Sequence, residues 1–278
     1  MPPPKENKMH FFLLPFPLLE KPLIVETFLS HSRDVFKGCS SLRDLSLAAN
    51  FFRVWPSKAL KAIAAHLHTL DMGENALRHL PPILDNFQHL YGLRLAGNHL
   101  RNLTGDTFSA APRLKMLNVA SNLLEHIEQT TFEPLPHLKA LRLDHNRLED
   151  INGLLTMQHQ LQWLNVSNNH LQWFDYAIIP KSVIWLSLRW NRIEEMGNYY
   201  NMQEGFHLTH LDVGHNLLSR MDRLAMQPSL QEVYADHNAI SELSPNTFKG
   251  VLNLTLVNLT HNQLKTFPLS ALTLSLSE

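Results

Sequence analysis

One spacing pattern, L-x-x-L-x-L-x-x-N-x-L, constrains this chain more than any other feature of its sequence. A complete copy occupies residues 138–148, and the pattern returns every 22 to 25 residues. Self-similarity at a fixed period of this length is the signature of a repeat architecture, in which each copy forms one coil of a stack. Ten coils are counted by their asparagines, which are Asn50, Asn75, Asn98, Asn122, Asn146, Asn169, Asn191, Asn216, Asn238 and Asn262.

Each copy alternates apolar and polar residues, which predicts a short strand with one buried face. The asparagine follows where the chain turns away from the strand. Its amide both donates and accepts, so it can satisfy backbone groups that a buried turn would leave unpaired. We therefore predict a structural asparagine ladder in an α/β repeat, the leucine-rich repeat solenoid: a curved horseshoe with a parallel concave sheet and an irregular or short-helical convex side.

The connections between coils predict the convex side. Phenylalanines such as Phe108 and Phe132 are expected to fill the space between the sheet and the convex wall. Residues 57–65 have helix-forming composition, with Ser57 as the N-cap. Cys39 is the single cysteine, which excludes a disulfide framework within the chain, and we interpret it as a small buried hydrophobic residue.

The repeat predicts one elongated solenoid over residues 23–270, with about ten copies. Residues 1–22 do not fit the repeat and are predicted to be disordered or a poor signal-like segment, because Pro15 and Pro17 interrupt their apolar run. That run is too short to span a bilayer, so we expect no membrane insertion by this chain. Residues 271–278 are interpreted as a truncated tail.

Charge and motif content exclude several classes of function. The formal net charge of −1 gives no reason to expect a nucleic-acid partner. No catalytic motif has usable spacing, so we predict neither an enzyme nor a cofactor or metal site. His215, His237 and His261 precede ladder asparagines on consecutive coils; we interpret them as solvated turn residues, with titration between about pH 5 and 8 or weak metal binding as alternatives.

Partner contacts are expected on the concave sheet, where the residues flanking the buried leucines point outward. Trp163 and Trp185 occupy the same position on neighbouring coils. Aromatic residues and arginine dominate the binding energy of protein interfaces. The alternative is that these tryptophans pack locally against Phe174 and Tyr176. The predicted contact residues are Trp163, Trp185, Arg189, Trp190, Arg142 and Tyr234.

Four Asn-x-Ser/Thr sequons favour a secretory route, the alternative being a cytosolic chain that carries them by chance. Two of them are in predicted strands, where a glycan would obstruct part of the concave sheet. The candidate glycosylation sites are Asn102, Asn165, Asn253 and Asn258.

Residues 151–200 carry motifs more specific than the repeat. W-F-D-Y at 173–176 precedes a proline, and G-N-Y-Y at 197–200 follows the next coil. In these motifs the chain resembles the ectodomains of insect Toll receptors, especially the long 18-wheeler-like type, over about residues 36–264. The resemblance implies a glycosylated, extracellular recognition domain of a type I membrane receptor. Such a domain binds a cytokine-like or cell-surface protein in innate immunity or development, as a receptor homodimer or heterodimer.

The chain departs from that family because it shows no cysteine-rich caps, no transmembrane helix and no cytoplasmic TIR domain. We therefore expect a fragment, truncated product or decoy that recognises a ligand without signalling, at the cell surface or outside the cell. The alternative is a leucine-rich repeat adhesion or structural scaffold without an immune role. That scaffold would be extracellular, or cytoplasmic if the chain is complete.

Overall fold

The structure is a computed structural model that describes residues 35–81, 84–197, 206–221, 227–248, 250–251 and 253–266. The described coils fall within the predicted solenoid of residues 23–270. The predicted N-terminal segment 1–22 and the tail 271–278 lie outside the described residues, as does most of the G-N-Y-Y motif.

One parallel sheet of ten strands runs the length of the described chain, and its strands follow one another in chain order. Neighbouring strands pair in register, so that Leu141 lies beside Leu164 and Leu164 beside Leu186. This is the predicted leucine-rich repeat solenoid. Its strands are β1 (Asp44–Ser46), β2 (Thr69–Asp71), β3 (Gly92–Arg94), β5 (Met116–Asn118), β7 (Ala140–Arg142), β8 (Trp163–Asn165), β10 (Trp185–Ser187), β12 (His210–Asp212), β13 (Glu232–Tyr234) and β14 (Leu256–Asn258).

Two further pairs of short parallel strands lie on the flank that follows the asparagines, and the sequence did not predict them. Strand β4 (Asn102–Leu103) pairs with β6 (His126–Ile127), and β9 (Trp173–Asp175) pairs with β11 (Glu195–Gly197). Each begins four residues after its ladder asparagine. The flank is therefore held in the same register as the concave sheet.

The opposite wall is made of turns and short helices. Phe108 and Phe132 are fully buried there, with their ring centroids 6.4 Å apart. Two short 3₁₀ helices of this wall are Gln129–Phe132 and Tyr176–Ile178.

Two expectations about the first coils are wrong: Ser57 is not an N-cap, and Cys39 is not buried. Helix α1 spans Ser57–Leu60, and a separate 3₁₀ helix follows at Ala64–His66. The N-cap position of α1 is Pro56, so Ser57 is already helical and does not cap it. The thiol of Cys39 is exposed, because this residue lies in the turn that precedes β1, outside the stacked core.

From the second coil to the tenth, each ladder asparagine joins two coils through its side-chain amide, whereas the Asn50 amide donates to Leu47 and Ala48 of its own coil. In coil five, the buried Asn146 Nδ2 donates to the backbone oxygens of Leu143, at 2.9 Å, and of Val119 in the preceding coil, at 3.1 Å. Its Oδ1 accepts from the backbone N–H of Leu124, also in the preceding coil, at 3.0 Å. The same set of bonds recurs at the other coils from the second to the tenth.

The residue before each ladder asparagine adopts a left-handed backbone conformation, with φ between 51° and 69°. Only Gly97 among these ten residues is a glycine. The other nine carry a side chain, although the left-handed conformation raises the free energy of such a residue by about 1–2 kcal/mol. The bonds of the following asparagine hold this turn against that cost. The residues concerned are Ala49, Glu74, Gly97, Ser121, His145, Asn168, Trp190, His215, His237 and His261.

Replacing one ladder asparagine tests how much these bonds contribute. We expect Asn146→Ala to lower the free energy of unfolding by about 2–4 kcal/mol, because it leaves buried backbone groups in two coils unpaired. Chemical denaturation followed by circular dichroism measures the change. The control is Asn152→Ala, which removes an exposed asparagine amide of the next connection and should stay within about 0.5 kcal/mol of the wild type. Equal losses in the two variants would contradict the role given to the ladder.

Candidate functional site

Three rings form a stack on the concave sheet. The parallel register places Trp163, Trp185 and His210 at the same point of three neighbouring strands. The two indole rings lie 4.5 Å apart at an interplanar angle of 9°, and the imidazole continues the stack at 5.1 Å and 10°. Tyr234 tilts against His210 at 5.2 Å and 42°. We call these four residues the aromatic column; Phe174 and Tyr176 instead pack edge to face in the core.

A carboxylate fixes the far end of the aromatic column. Glu232 Oε2 lies 3.0 Å from His210 Nδ1 and accepts a hydrogen bond from the Tyr234 hydroxyl at 3.2 Å. Because the rings stack face on face, their edges rather than their faces point away from the sheet. The column therefore presents a partly exposed, apolar strip with polar atoms at one end.

Arg189 lies beside the aromatic column and joins three coils. Its guanidinium donates two hydrogen bonds to the carboxylate of Asp236, at 3.0 and 2.8 Å, and one to Asp212 at 3.3 Å. The bonds from Arg189 hold the pKa of the Asp236 carboxyl well below its usual range. Burial has the opposite effect on the neighbouring carboxyl and raises the pKa of Asp212.

Gly214 makes this arrangement possible. Arg189 belongs to coil seven and Asp236 to coil nine, and Gly214 occupies the equivalent position of coil eight between them. A Cβ atom at Gly214 would lie only 2.2 Å from Arg189 Nη1. The absence of a side chain in coil eight therefore lets the guanidinium pass over it.

The residues of the left-handed turns form a second stack, which we call the turn column. The ring of Trp190 lies 3.7 Å from that of His215, His215 lies 4.0 Å from His237, and His237 lies 4.2 Å from His261. The side chain of His215 is only 18% exposed. The three histidines are thus stacked on one another, and the interpretation of them as simply solvated turn residues is wrong for His215.

The ligand atoms of His215, Asp236 and His237 lie within 4.8 Å of one another, which raises the alternative of a metal site. The geometry opposes it. Imidazole lone pairs lie in the plane of the ring, and the planes of His215 and His237 are nearly parallel, at 11°. One ion therefore cannot meet both lone pairs as the rings stand, and the Asp236 carboxylate is already bound to Arg189.

The other predicted contact residues lie at different places. Arg142 is on β7, one strand before Trp163, and its guanidinium is bound through two bonds of 2.8 Å to the buried Asp144. Hydrogen bonding to Asp144 raises the pKa of Arg142. Trp190 is 51% exposed at the end of the turn column, whereas Tyr234 closes the aromatic column.

The sequons divide into two pairs. Asn165 and Asn258 are concave strand residues whose Oδ1 atoms accept backbone N–H groups, from Ser167 at 3.0 Å and from Thr260 at 3.1 Å. The Asn258 amide also donates to Asp236 at 3.2 Å. Asn102 and Asn253 are exposed and lie outside the concave sheet.

Sequence reasoning did not anticipate the role of the W-F-D-Y motif, which is structural. Phe174 and Tyr176 are buried, and burial raises the pKa of Tyr176. Asp175 is buried as well, and its Oδ1 accepts from the backbone N–H of Ala177 at 2.7 Å to cap a 3₁₀ helix. Only Trp173 reaches the solvent, on the flank.

Comparison with known proteins agrees with the architecture. The family model "Leucine rich repeat" matches residues 88–148, 112–171 and 228–275. The Toll-like receptor 7 of Drosophila melanogaster is 43% identical over 216 residues. This chain is a leucine-rich repeat protein related to the Toll receptors. The match covers 77% of the chain but only 15% of that relative.

Solved structures of protein complexes contain the same fold. The glycosylated Toll–Spatzle complex of Drosophila aligns with a TM-score of 0.61 and 27% identity, over 76% of this chain and 30% of that chain. The LRIM1/APL1C complex aligns with a TM-score of 0.73 and 29% identity, over 84% and 42%. Among the described residues of our Toll-related chain, no helix has the length and apolar character needed to cross a membrane.

The opposite pKa directions of Asp236 and Asp212 predict opposite effects of pH. The Asp236 carboxylate stabilises the fold fully above about pH 4, where the unfolded chain is also ionised, and this contribution is lost as the pH falls toward its lowered pKa. We expect Asp236→Asn to reduce the free energy of unfolding by about 1–3 kcal/mol at pH 7 and by less at pH 3.

Asp212→Asn is the matched comparison. The raised pKa of Asp212 means that the folded chain gains a proton before the unfolded chain does, so this carboxyl favours the fold increasingly as the pH falls. The loss caused by Asp212→Asn should therefore be larger at pH 3 than at pH 7. Denaturation curves of both variants at the two pH values measure this, and parallel trends would contradict the assignment.

Proposed function

We propose that this chain is the ligand-recognition part of a Toll-type receptor ectodomain, and that it binds a protein without catalysing a reaction. The proposal has one main support: the aromatic column and Arg189 lie together on the outward face of coils six to nine. The relationship to Toll-like receptor 7 supports the receptor class. We further propose that the module acts outside the cell or at its surface, in innate immunity or development, alone or as part of a receptor dimer.

The shape of the aromatic column favours a protein ligand. Three strand spacings give it a length of about 14 Å. Small-molecule sites are concave pockets that enclose most of their ligand, whereas this column is an elongated strip of ring edges. Aromatic anchors with an adjoining arginine are the composition found at the centre of protein interfaces. The structurally similar Toll complex contains Spatzle, so a protein of that kind is the first ligand to test.

The stacking of the rings also prepares them for binding. Trp163 and Trp185 already restrict each other, so a partner that covers them orders few additional side-chain rotamers. Arg189 is held by two carboxylates in the same way. We propose that the strip is a preformed contact surface, with Arg142 and Trp190 at its borders.

Truncating the tryptophan pair tests this surface. We expect Trp163→Ala combined with Trp185→Ala to weaken ligand binding at least about 30-fold, because truncating a central anchor costs about 2 kcal/mol or more. The measurement is biolayer interferometry of the whole chain against immobilised Spatzle, together with thermal denaturation of the variant.

Trp173→Ala provides the control, because it removes a tryptophan that lies on the flank, away from the aromatic column, and is 38% exposed. This variant should bind like the wild type. Unchanged binding by the double variant would exclude the aromatic column as the contact surface, and a Spatzle interaction lost equally in both variants would do the same.

We propose that Asn102 and Asn253 carry glycans, since both are exposed and neither lies on the concave strands. Asn165 is two residues from Trp163 on the same face of β8, so a glycan there would cover the aromatic column. Its side chain and that of Asn258 are engaged in hydrogen bonds within the sheet.

Secretion from insect cells tests this assignment. Enzymatic removal of N-linked glycans should lower the mass of the wild-type chain. Asn102→Gln and Asn253→Gln should each remove one glycan, whereas Asn165→Gln should leave the mass of the glycoprotein essentially unchanged. Intact-mass measurement of the secreted variants decides between them. A glycan at Asn165 would contradict the proposed contact surface, and a chain without any glycan would contradict the secretory route.

A further inference from the structure

A row of three arginines lies on the flank of the first three coils, away from the concave sheet. Arg53, Arg78 and Arg101 each follow their ladder asparagine by three residues. Backbone hydrogen bonds hold this flank in register: the N–H of Ala76 donates to the oxygen of Phe52 at 2.9 Å, and that of His99 to Leu77 at 2.8 Å. The arginines therefore leave the stack at equivalent points, about one strand spacing of 4.8 Å apart. We call them the arginine row.

The arginine row carries uncompensated positive charge. All three side chains are exposed, and none has an ion pair or hydrogen bond to another residue in the described part of the chain. The carboxylates at hand are bound elsewhere: Glu74 pairs with Arg94 and Glu125 with Arg147, both at 3.0 Å. Other arginines of the chain, such as Arg94 and Arg189, instead form ion pairs on the concave side.

A depression of about 480 Å³ lies between two of these arginines. Arg78 and Arg101 border it together with His79 and His99, and Leu123 forms its apolar side. Guanidinium groups bind oxoanions through paired N–H donors, and imidazole N–H groups add further donors. The depression thus has the donors and the charge to receive a sulfate or phosphate group.

The row ends abruptly. The next two coils place Glu125 and Glu149 at the position that the arginines occupy in the first three. After the third coil, a ligand that follows the row meets the Glu125–Arg147 ion pair and then Glu149, and no further unpaired arginine at this position. This favours a ligand whose anionic groups are concentrated over a short stretch and opposes a long, uniformly charged nucleic acid, as does the formal net charge of −1.

We propose that the arginine row binds a short run of sulfate groups on a cell-surface polysaccharide. The extracellular source of the ligand rests on the proposed function, whereas the binding chemistry depends only on the row. The row and the aromatic column lie on different faces and different coils. A polysaccharide bound at the row would hold the module at the cell surface and leave the concave sheet open to its protein ligand.

Binding of the whole chain to immobilised heparin tests this proposal at about 0.15 M salt. The test variant is Arg53→Gln/Arg78→Gln/Arg101→Gln. Its matched control is Arg113→Gln/Arg192→Gln/Arg220→Gln, which removes three exposed arginines elsewhere and changes the net charge equally. We expect affinity to fall at least about tenfold in the first and less than about twofold in the second. Circular dichroism verifies that both variants fold. We expect both to fold because all six substituted arginines are exposed.

Four results would overturn the proposal: no binding of the wild type, equal loss in both triple variants, unchanged binding to desulfated heparin, or equal competition by single-stranded DNA. The last would assign the row to nucleic acid instead. The Trp163→Ala/Trp185→Ala variant should keep its heparin affinity. Failure of the protein-ligand proposal and failure of the polysaccharide proposal are therefore separate outcomes.

Discussion

The hydrogen bonds of the ladder asparagines are the interaction on which the rest of this structure depends. From the second coil onward, each amide connects its own turn to the preceding coil and holds a left-handed residue beside it. Because this bond set recurs, equivalent residues of successive coils lie one above another. The aromatic column, the turn column and the arginine row all follow from that register. Contact surfaces here are built from residues more than twenty positions apart in the sequence.

Much of the fold was predictable because its determinants are local and periodic. The leucines and asparagines predict the strands, their order and the outward direction of Trp163 and Trp185. The flank strands and the left-handed turns were missed, since neither has a residue type of its own: nine side chains other than glycine occupy the turns. The exposure of Cys39 was missed because burial was inferred from residue type alone.

The chemistry of the candidate site was less predictable, because it depends on contacts between particular side chains of different coils, which the repeat pattern does not specify. That Trp163 and Trp185 are neighbours follows from the repeat, but the continuation of their stack into His210 required the neighbouring coil to carry a flat ring. The ionic contacts of Arg189 reach past the adjacent coil. The repeat pattern places these residues on the outward face of the sheet, whereas their partners became evident only from the arrangement of side chains in space.

Gly214 has a consequence for how the stack comes apart. In a solenoid, cooperativity normally arises from contacts between adjacent coils only. The bond that Arg189 makes over Gly214 adds a contact between coils seven and nine. A boundary between folded and frayed chain would break this bond whether it fell before or after coil eight. The three coils are thereby coupled as one unit, and the surface that bears Trp185 and His210 is protected from fraying that begins farther along the chain.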